Sequence, residues 1–289
     1  SWNAKSQPQV IGKFRTRAFI GVQNGCDHAC TFCVIPKGRG QSRSNTIDNV
    51  KWEVEQHLKL GAKEVILTGV DVTSWGHDLP GNLSLGNLVN SILNEFPELP
   101  RLRMSSVDGV ELDESLLGLF SSESRLMPHI HLSLQHGHNL ILKRMKRRHT
   151  LEQAVELVCR LKRDRPEIAI GADLIAGFPT ESREHHLANL AIIRECRIVH
   201  GHIFPYSQRP GTPAAKMPQV DRAIVKQRAA ELRLAVSKVR SKWLNSLIGK
   251  KLNVLTESDG TGYAENYARV AVPANFEVGQ IVSIYPKKS

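Results

Sequence analysis

The chain has 289 residues, of which 41% are hydrophobic and 23% are charged, as in an ordinary folded globular protein. No run of apolar residues is long enough to cross a membrane, so we expect a cytoplasmic protein without a membrane partner. The 39 Lys and Arg residues outnumber the 28 Asp and Glu residues and give a net charge of +11. This excess favours a polyanionic partner, nucleic acid ahead of membrane, although a merely basic surface would leave the same signature.

The first residues differ in character from the rest of the chain. Residues 1–16 are polar, with a proline and several basic residues, and are typical of an interdomain linker. The chain starts with Ser1 rather than Met, so we expect an N-terminal part to precede it. The predicted divisions are a linker over residues 1–16, a core domain over 17–246 and a small appended domain over 247–289.

Three of the five cysteines fall in one short loop, directly after a strand-like run. Cys26, Cys30 and Cys33 have the spacing C-x3-C-x2-C. Three thiolates on one loop suit a [4Fe-4S] cluster in which the protein holds three irons and leaves the fourth open. A zinc site that adds His28 stays open as an alternative, although zinc cysteines usually come as two separated pairs. The odd cysteine count and the lack of a secretory segment disfavour a disulfide framework.

The chain then alternates strand-like and helix-like segments. Strand character occupies six segments: 17–22, 64–69, 103–106, 129–135, 168–175 and 198–204. Amphipathic segments between them predict helices, among them 47–58, 83–96 and 151–161. The repeat predicts an α/β fold with a parallel sheet, and its regularity favours a partial barrel of six βα units over a doubly wound sheet.

The C-terminal part breaks this alternation. Three prolines precede a long basic helix predicted over residues 220–247. From residue 251 onwards, short alternating runs split by turn residues predict a small β-barrel of the kind that nucleic-acid-binding appendages use. Tyr263, Tyr267 and Phe276 would either stack on bases or form the core of this barrel, and the pattern does not choose between the two.

Polar and small residues gather at the ends of the predicted strands. In parallel barrels the chemistry lies at the carboxyl ends of the strands. The residues that fall there are Cys26, Gly69, Ser105, Gln135, Gly177 and Pro205. We interpret four nearby histidines as solvated loop residues rather than metal ligands: His136, His138, His185 and His186. Cys159 and Cys196 lie in helix-like contexts, where we expect them to be buried.

These segments resemble the radical S-adenosylmethionine superfamily, and more closely its methylthiotransferases. Phe32, the aromatic residue before the last cysteine, matches the superfamily signature. The similarity continues through several further segments: 36–40 with Arg43, 68–71, 105–106, 134–135, 171–173 and 177–179. The resemblance implies a partial (β/α)6 barrel of the radical S-adenosylmethionine type, followed by a small β-barrel resembling a TRAM domain.

Residues 204–215 look most similar to the branch that modifies threonylcarbamoyladenosine in tRNA. The resemblance therefore implies a tRNA methylthiotransferase that adds a methylthio group to carbon 2 of threonylcarbamoyladenosine at position 37. Two enzyme alternatives stay open, namely methylthiolation of isopentenyladenosine in tRNA and of an aspartate in a ribosomal protein. The non-enzyme alternative is an RNA-binding module whose iron-sulfur cluster is only structural.

The resemblance also implies cofactors and their ligands. It assigns the cluster to Cys26, Cys30 and Cys33, S-adenosylmethionine to the open iron, and reduction of the cluster to an electron donor. The implied cofactor contacts are Phe32, Arg39 or Arg43 for the carboxylate, the backbone of Gly69, Val70 and Asp71, the side chains of Ser105 and Gln135, and the backbone from Ile175 to Gly177. Members of the family carry a second cluster on an N-terminal domain with three more cysteines. This sequence has no such triplet, so we expect only the radical-generating and RNA-binding part here.

A basic run close to the rim of the barrel predicts the RNA contact. Its five cations are Lys143, Arg144, Lys146, Arg147 and Arg148. Contacts with phosphates would make the affinity for tRNA fall steeply with salt. An exposed helix face without a partner is the alternative.

Overall fold

A computed structural model describes residues 16–287, so the predicted linker lies almost entirely outside the described residues. The six predicted strands of the core domain are present, and the third is divided at Ser105. The core elements in chain order are β1 (Arg17–Asn24), α1 (Ile35–Arg39), β2 (Arg43–Ser44), α2 (Ile47–Lys59), β3 (Glu64–Gly69), α3 (Leu85–Glu95), β4 (Arg101–Met104), β5 (Ser106–Val107), α4 (Glu114–Ser122), β6 (His129–Gln135), α5 (Asn139–Arg144), α6 (Leu151–Asp164), β7 (Ala169–Ala176), α7 (Arg183–Glu195) and β8 (Ile198–Pro205).

The core strands form two four-stranded sheets, with the orders β2-β1-β3-β4 and β5-β6-β7-β8. Neighbouring strands are parallel, except that the two-residue β2 runs antiparallel to β1. One stretch of chain passes from the first sheet to the second through β4 and β5. The predicted α/β fold and curled, partial barrel are therefore confirmed, and β8 is the outer edge of the second sheet.

Alternation along each strand divides its side chains between the outer helices and the barrel interior. In β1, Ala18, Ile20 and Val22 are buried in the main hydrophobic core, whereas Phe19 is exposed. The helices that cover the outer face begin at side-chain caps. Thr150 and Gln153, for example, form a capping box at the start of α6. Packing and capping together hold the carboxyl ends of the strands in place.

The amino ends of the strands are closed by buried ion pairs and by the terminal domain. Arg103 Nη2 lies 3.0 Å from Glu64 Oε2, and both side chains are buried. Arg101 donates to the backbone carbonyls of Tyr263 at 3.0 Å and Asn253 at 2.7 Å. Charged side chains at the amino ends of the strands, which we call the barrel floor, therefore attach the terminal domain to the core.

The predicted long helix is α8 (Arg222–Leu247), which packs on β8 and leads into the terminal domain. That domain is an antiparallel sheet of order β11-β10-β9-β12, formed by β9 (Leu252–Thr256), β10 (Thr261–Ala264), β11 (Arg269–Ala271) and β12 (Ile281–Ile284). Tyr267 stacks on Tyr263 and on His129, with ring centroids 4.8 Å and 4.7 Å apart. Both tyrosines thus pack against the barrel floor, which favours the core alternative for them.

No helix within residues 16–287 is long and apolar enough to span a membrane. Cys196 is buried, as predicted, but Cys159 is exposed and its predicted burial is wrong. The reason lies in helical geometry. The buried face of α6 contains Val158 and Leu161, and the next position after Val158 is rotated by about 100° away from that face.

Candidate metal centre and its surroundings

The cysteine loop leaves the carboxyl end of β1. Cys26, Cys30 and Cys33 are half-buried and form no disulfide. The Cys26 N–H donates to the Gly40 carbonyl at 3.1 Å, and the Cys33 N–H donates to the Cys30 carbonyl at 3.2 Å. Three free thiols therefore lie on one short, hydrogen-bonded loop at the end of the barrel where parallel folds place their chemistry.

The three thiols differ in acidity. Burial raises the pKa of the Cys26 thiol to about 11, and it also raises the pKa of Cys33. Burial acts on Cys30 as well, but a hydrogen bond with His28 and the nearby Arg147 guanidinium bring the pKa of Cys30 below the ordinary cysteine value. Cys30 is thus the most readily ionised of the three, and a bound metal would supply the positive charge that the other two require.

A histidine and an aspartate lie beside the first cysteine. Cys26 Sγ is 3.8 Å from Asp71 Oδ2, and His28 Nε2 is 3.1 Å from the same oxygen. One ligand atom of each residue lies within 4.8 Å of the others, as a cation site requires. This set includes neither Cys30 nor Cys33, so a zinc ion here would leave two of the three thiols unused. The triplet fits an iron-sulfur cluster better than zinc.

The loop after β3 lies beside the cysteine loop, as predicted. Its members Gly69 and Val70 precede Asp71, whose N–H donates to Gln23 Oε1 at 2.8 Å and whose carboxylate accepts from Ser74 Oγ at 2.7 Å. The Asp71 amide is therefore already paired. The predicted cofactor contacts of the Gly69, Val70 and Asp71 backbone therefore depend on the other backbone groups of this loop and stay a prediction.

The basic run that the sequence predicts to contact RNA is only partly exposed in the structure. The Arg147 side chain is 7% exposed, and its guanidinium pairs with Asp108. It also donates to the Ser133 carbonyl at 3.0 Å and lies 3.7 Å from Cys30 Sγ. Because a buried carboxylate neutralises it, Arg147 has no free charge for a phosphate, and we assign it to the surroundings of the cysteine loop instead.

Two other members of the run also have partners within the protein. Arg144 Nη1 donates to Thr180 Oγ1 at 2.7 Å, and its carbonyl accepts from Thr31 Oγ1 at 2.8 Å, so the end of α5 supports the cysteine loop. Arg148 pairs with Glu111. The members left exposed, with no side-chain partner in the part of the chain that the structure describes, are Lys143 and Lys146.

The barrel interior near the cysteine loop contains buried polar atoms without partners. Ser105 Oγ and Tyr206 Oη have no hydrogen bond within residues 16–287. Gln135 ends β6 with a φ of +66°, a conformation that non-glycine residues rarely adopt. Since an unpaired buried polar group is costly, a polar ligand in this interior would complete these atoms. Ser105 and Gln135 thus fit the predicted binding of S-adenosylmethionine.

Ile175 and Gly177 lie at the end of β7, but their backbone groups are already engaged. The Ile175 carbonyl accepts from Asn189 Nδ2 at 3.1 Å, and the Gly177 N–H donates to Glu181 Oε2 at 2.8 Å. Gly177 has a φ of +70°, and a Cβ atom on it would lie 2.5 Å from Val225. These contacts fix the turn at the end of β7 and leave the second lone pair of the Ile175 carbonyl unused, so the backbone contacts of Ile175 to Gly177 with a cofactor stay a prediction.

The histidines after β6 and β7 have structural roles, and the interpretation of all four as solvated is wrong. His136 and His186 are 0% exposed. His136 Nε2 lies 3.3 Å from Glu181 Oε2, and Arg228 Nη1 donates to Glu181 Oε1 at 2.9 Å. This buried network fixes the turn at the end of β7. The other two histidines accept backbone hydrogen bonds at helix starts: His138 at α5 and His185 at α7.

The remaining predicted contacts lie in two different environments. Phe32 packs edge-on against Phe178, with ring centroids 6.3 Å apart, at the carboxyl end of the barrel. Arg39 and Arg43 are exposed instead, and Arg43 Nη2 donates to the Arg39 carbonyl at 3.0 Å. Arg43 therefore closes its own loop, and Arg39 Nη1, 3.5 Å from Asn24 Oδ1, is the less engaged of the two.

Comparison with known proteins gives the same picture. The profile of the Radical SAM superfamily matches residues 20–191, more than half of the chain. The chain is 45% identical over 92% of its length to threonylcarbamoyladenosine tRNA methylthiotransferase of Rickettsia prowazekii, of which it covers 63%. It is 37% identical over 88% of its length to tRNA-2-methylthio-N(6)-dimethylallyladenosine synthase of Orientia tsutsugamushi, of which it covers 57%. The chain thus spans less than two thirds of these relatives.

Solved structures share the fold at low sequence identity. The radical S-adenosylmethionine methyltransferase TsrM from Kitasatospora setae, with cobalamin and a [4Fe-4S] cluster bound, matches with a TM-score of 0.55 and 20% identity over 68% of this chain and 38% of that one. Methylornithine synthase matches with a TM-score of 0.53 and 14% identity over 78% of this chain and 63% of that one. With the profile match across the cysteine loop, these findings show that the chain belongs to the radical S-adenosylmethionine superfamily.

Proposed function

We propose that this chain is the radical-generating and RNA-binding part of a tRNA methylthiotransferase that acts on carbon 2 of threonylcarbamoyladenosine at position 37. The observation that carries the proposal is the 45% identity, over 92% of the chain, to a relative named for this activity. The free three-cysteine loop at the carboxyl end of the barrel is consistent with it. The lower identity of 37% to the dimethylallyladenosine relative makes that substrate the second candidate.

In this proposal Cys26, Cys30 and Cys33 hold a [4Fe-4S] cluster. When bound, the cluster supplies the electron, received from an external donor, that cleaves the sulfonium of S-adenosylmethionine. The protein orients the cofactor through Ser105, Gln135 and the backbone from Ile175 to Gly177, all of which lie near the carboxyl ends of their strands. Phe32 and Phe178 exclude water on the same side, since they form part of a small apolar cluster there.

The location of the charges supports an RNA partner. A cavity of about 1040 Å³ lies at the amino ends of the strands between the core, α8 and the terminal sheet. Its acidic residues Glu167 and Glu265 already have partners in Arg165 and Asn253. Five exposed cations on its lining have no side-chain partner within residues 16–287: Arg194, Arg197, Lys242, Lys250 and Lys251. We refer to them as the basic groove, and a row of unpaired cations of this kind fits RNA phosphates.

The proposal is tested with cluster-loaded protein under anaerobic conditions. With S-adenosylmethionine and dithionite, we expect 5′-deoxyadenosine to form, and we expect tRNA that carries threonylcarbamoyladenosine at position 37 to accelerate its formation more than tRNA that lacks the modification. No 5′-deoxyadenosine at all would favour an RNA-binding module with a structural cluster. Stronger acceleration by the dimethylallyl-modified tRNA, or by the ribosomal protein, would move the substrate assignment to that alternative.

A further inference from the structure

A row of three polar side chains lies across neighbouring strands, midway between the two ends of the barrel. His131 on β6, Asp173 on β7 and His202 on β8 come from three neighbouring parallel strands. His131 Nε2 lies 3.0 Å from Asp173 Oδ1, and His202 Nδ1 lies 3.1 Å from the same oxygen. Asp173 therefore holds both imidazole rings in fixed positions.

A glycine on the middle strand makes this row sterically feasible. Gly171 is the register partner of His131, and a Cβ atom on Gly171 would lie 2.3 Å from His131 Nδ1. A side chain at this position would displace the His131 ring. The absence of one lets the ring lie over β7 and reach Asp173.

The row opens to solvent at the outer edge of the barrel. The His131 side chain is 7% exposed and that of His202 is 63% exposed, because β8 has no further strand beside it. Phe204, two residues further along the same face, is also exposed. Asp173 precedes Ile175, at the cofactor end of β7, by two residues, or about 7 Å. A base that enters from the open side would therefore meet His202 close to the cofactor.

The electrostatics of the row favour a cationic His202. Its hydrogen bond with Asp173 raises the pKa of His202 above the ordinary histidine value. Burial opposes the charge of Asp173, but its hydrogen bonds with His131 and His202 outweigh that and lower the pKa of Asp173 to about 2. His202 Nδ1 is occupied by Asp173, whereas Nε2 has no partner in the described part of the chain. When His202 is protonated, its Nε2–H group is therefore a charged donor on a largely exposed ring.

We propose that His202, oriented by Asp173, is a specificity-determining residue whose Nε2–H donates to an oxyanion of the substrate, namely the carboxylate of the threonylcarbamoyl group. This inference rests on the proposed function, since it names the part of the modified base that this site recognises. A dimethylallyl group is apolar and offers no acceptor, so it would leave the cationic donor unpaired. The site therefore discriminates between the two base modifications by charge.

The test compares His202→Phe, which keeps an aromatic ring, with His202→Lys, which keeps a cation. We expect His202→Phe to raise the KM for tRNA with threonylcarbamoyladenosine at position 37 about tenfold to a hundredfold, the range of a hydrogen bond to a charged group. His202→Lys should recover part of that loss. The affinity for tRNA that is unmodified at position 37 should not change. Iron content and the unfolding midpoint of each variant report on folding, and His202 is exposed enough to tolerate both changes.

The outcomes separate the inference from the function on which it rests. If the unaltered protein shows no preference for the threonylcarbamoyl-modified tRNA, the proposed function fails. If it shows the preference and His202→Phe keeps the original KM, only the role of His202 fails. An equal loss of affinity for both tRNAs would mean that His202 contacts a phosphate instead. The three ligand atoms of the row also lie within 4.8 Å of one another. If the unaltered protein binds one equivalent of zinc and His202→Phe binds none, the row is a metal site instead.

Discussion

The two ends of the barrel differ in how far their buried polar groups are paired within the protein. At the amino end, Glu64 pairs with both Arg101 and Arg103. Other N–H groups of the same two guanidinium groups donate to backbone carbonyls of the terminal domain. At the carboxyl end, buried polar atoms stay without partners within residues 16–287: Ser105 Oγ, Asp108 Oδ1, Glu111 Oε2, Arg147 Nε and Tyr206 Oη. The unpaired polar atoms at the amino end belong to His129 and His200, whose pKa burial lowers, so they carry no charge at neutral pH.

This difference distinguishes a joint between domains from a binding site. A buried polar atom without a hydrogen bond destabilises a fold unless a ligand completes it, so its location marks where a ligand can bind. At the amino end the charges of Glu64, Arg101 and Arg103 have their partners within the protein, and this end joins the core to the terminal sheet. The carboxyl end is incomplete until a cofactor occupies it. Substitutions at the carboxyl end should therefore affect chemistry before stability, and substitutions at the amino end should do the reverse.

The largest effect is expected at the cysteine loop. Replacing Cys30 by Ala removes one of three cluster ligands, so we expect loss of the cluster and of all 5′-deoxyadenosine formation. Iron content, the visible absorption spectrum and product analysis measure both. Cys159→Ala is the matched control, because Cys159 is exposed on α6, away from the loop. A Cys30→Ala protein that keeps its full iron content and activity would contradict the assignment of the triplet.

Much of this end of the barrel follows from sequence because its signals are local. The C-x3-C-x2-C spacing and the period-two pattern of the strands depend on residues that are neighbours in the chain. The structure confirms the predicted strands and the profile match confirms the superfamily, whereas the assignment of the three cysteines as cluster ligands stays a prediction. The run from residue 143 to 148 misled because charge alone does not reveal burial. The partner of Arg147 is Asp108, 39 residues earlier, and only the folded chain brings them together.

The row formed by His131, Asp173 and His202 is not evident from the sequence for a related reason. His131 and Asp173 belong to strands that are 40 residues apart in the chain, and their contact depends on strand register. A signal was nevertheless present. His129 and His131, and likewise His200 and His202, are spaced two residues apart on strands whose alternate residues are apolar, which indicates polar side chains on an inward face.

At the amino end, the expected effect is on stability. Glu64→Gln would leave Arg101 and Arg103 buried without their counter-charge, so we expect the free energy of unfolding to fall by about 3–5 kcal/mol. Urea unfolding of the cluster-loaded protein measures it. Glu114→Gln breaks an exposed pair with Arg160 and should leave the urea midpoint nearly unchanged. A Glu64→Gln protein of unchanged midpoint, or one that loses its cluster while remaining folded, would contradict the role of this end as a structural joint.

A smaller effect is expected for RNA, and it compares the two ends directly. We expect the triple variant Arg197→Gln, Lys242→Gln, Lys250→Gln in the basic groove to bind tRNA more weakly. The slope of the logarithm of the binding constant against the logarithm of the salt concentration should become less negative by about 0.7–0.9 for each phosphate that is no longer neutralised. The double variant Lys143→Gln, Lys146→Gln removes the two exposed cations near the carboxyl end, and we refer to it as the rim variant and compare it with the groove variant. Filter binding at several salt concentrations gives both slopes. If only the rim variant changes the slope, RNA does not reach the groove, and the amino end is a joint alone.

The smallest expected effect concerns pH and the row between the two ends. Because the hydrogen bond with Asp173 raises the pKa of His202, the imidazolium persists to a higher pH than in an ordinary histidine and is lost as the pH rises through that raised value. The neutral ring would keep Nδ1–H for Asp173 and present Nε2 as an acceptor, which repels a carboxylate. The other titratable groups facing His202 are His131 on β6 and His200 on β8, and burial holds the pKa of His200 at about 3, so it stays neutral throughout.

We therefore expect the KM for the modified tRNA to rise several-fold between about pH 6 and about pH 9. The midpoint of this rise should move to lower pH in Asp173→Asn, because the partner that raises the pKa of His202 is gone. Steady-state kinetics at constant ionic strength measure this shift, with His202→Phe as the variant that should show no such transition. An identical midpoint in the unaltered protein and Asp173→Asn would mean that Asp173 does not set the charge of His202, and the row would then be a structural feature of the barrel like the amino end.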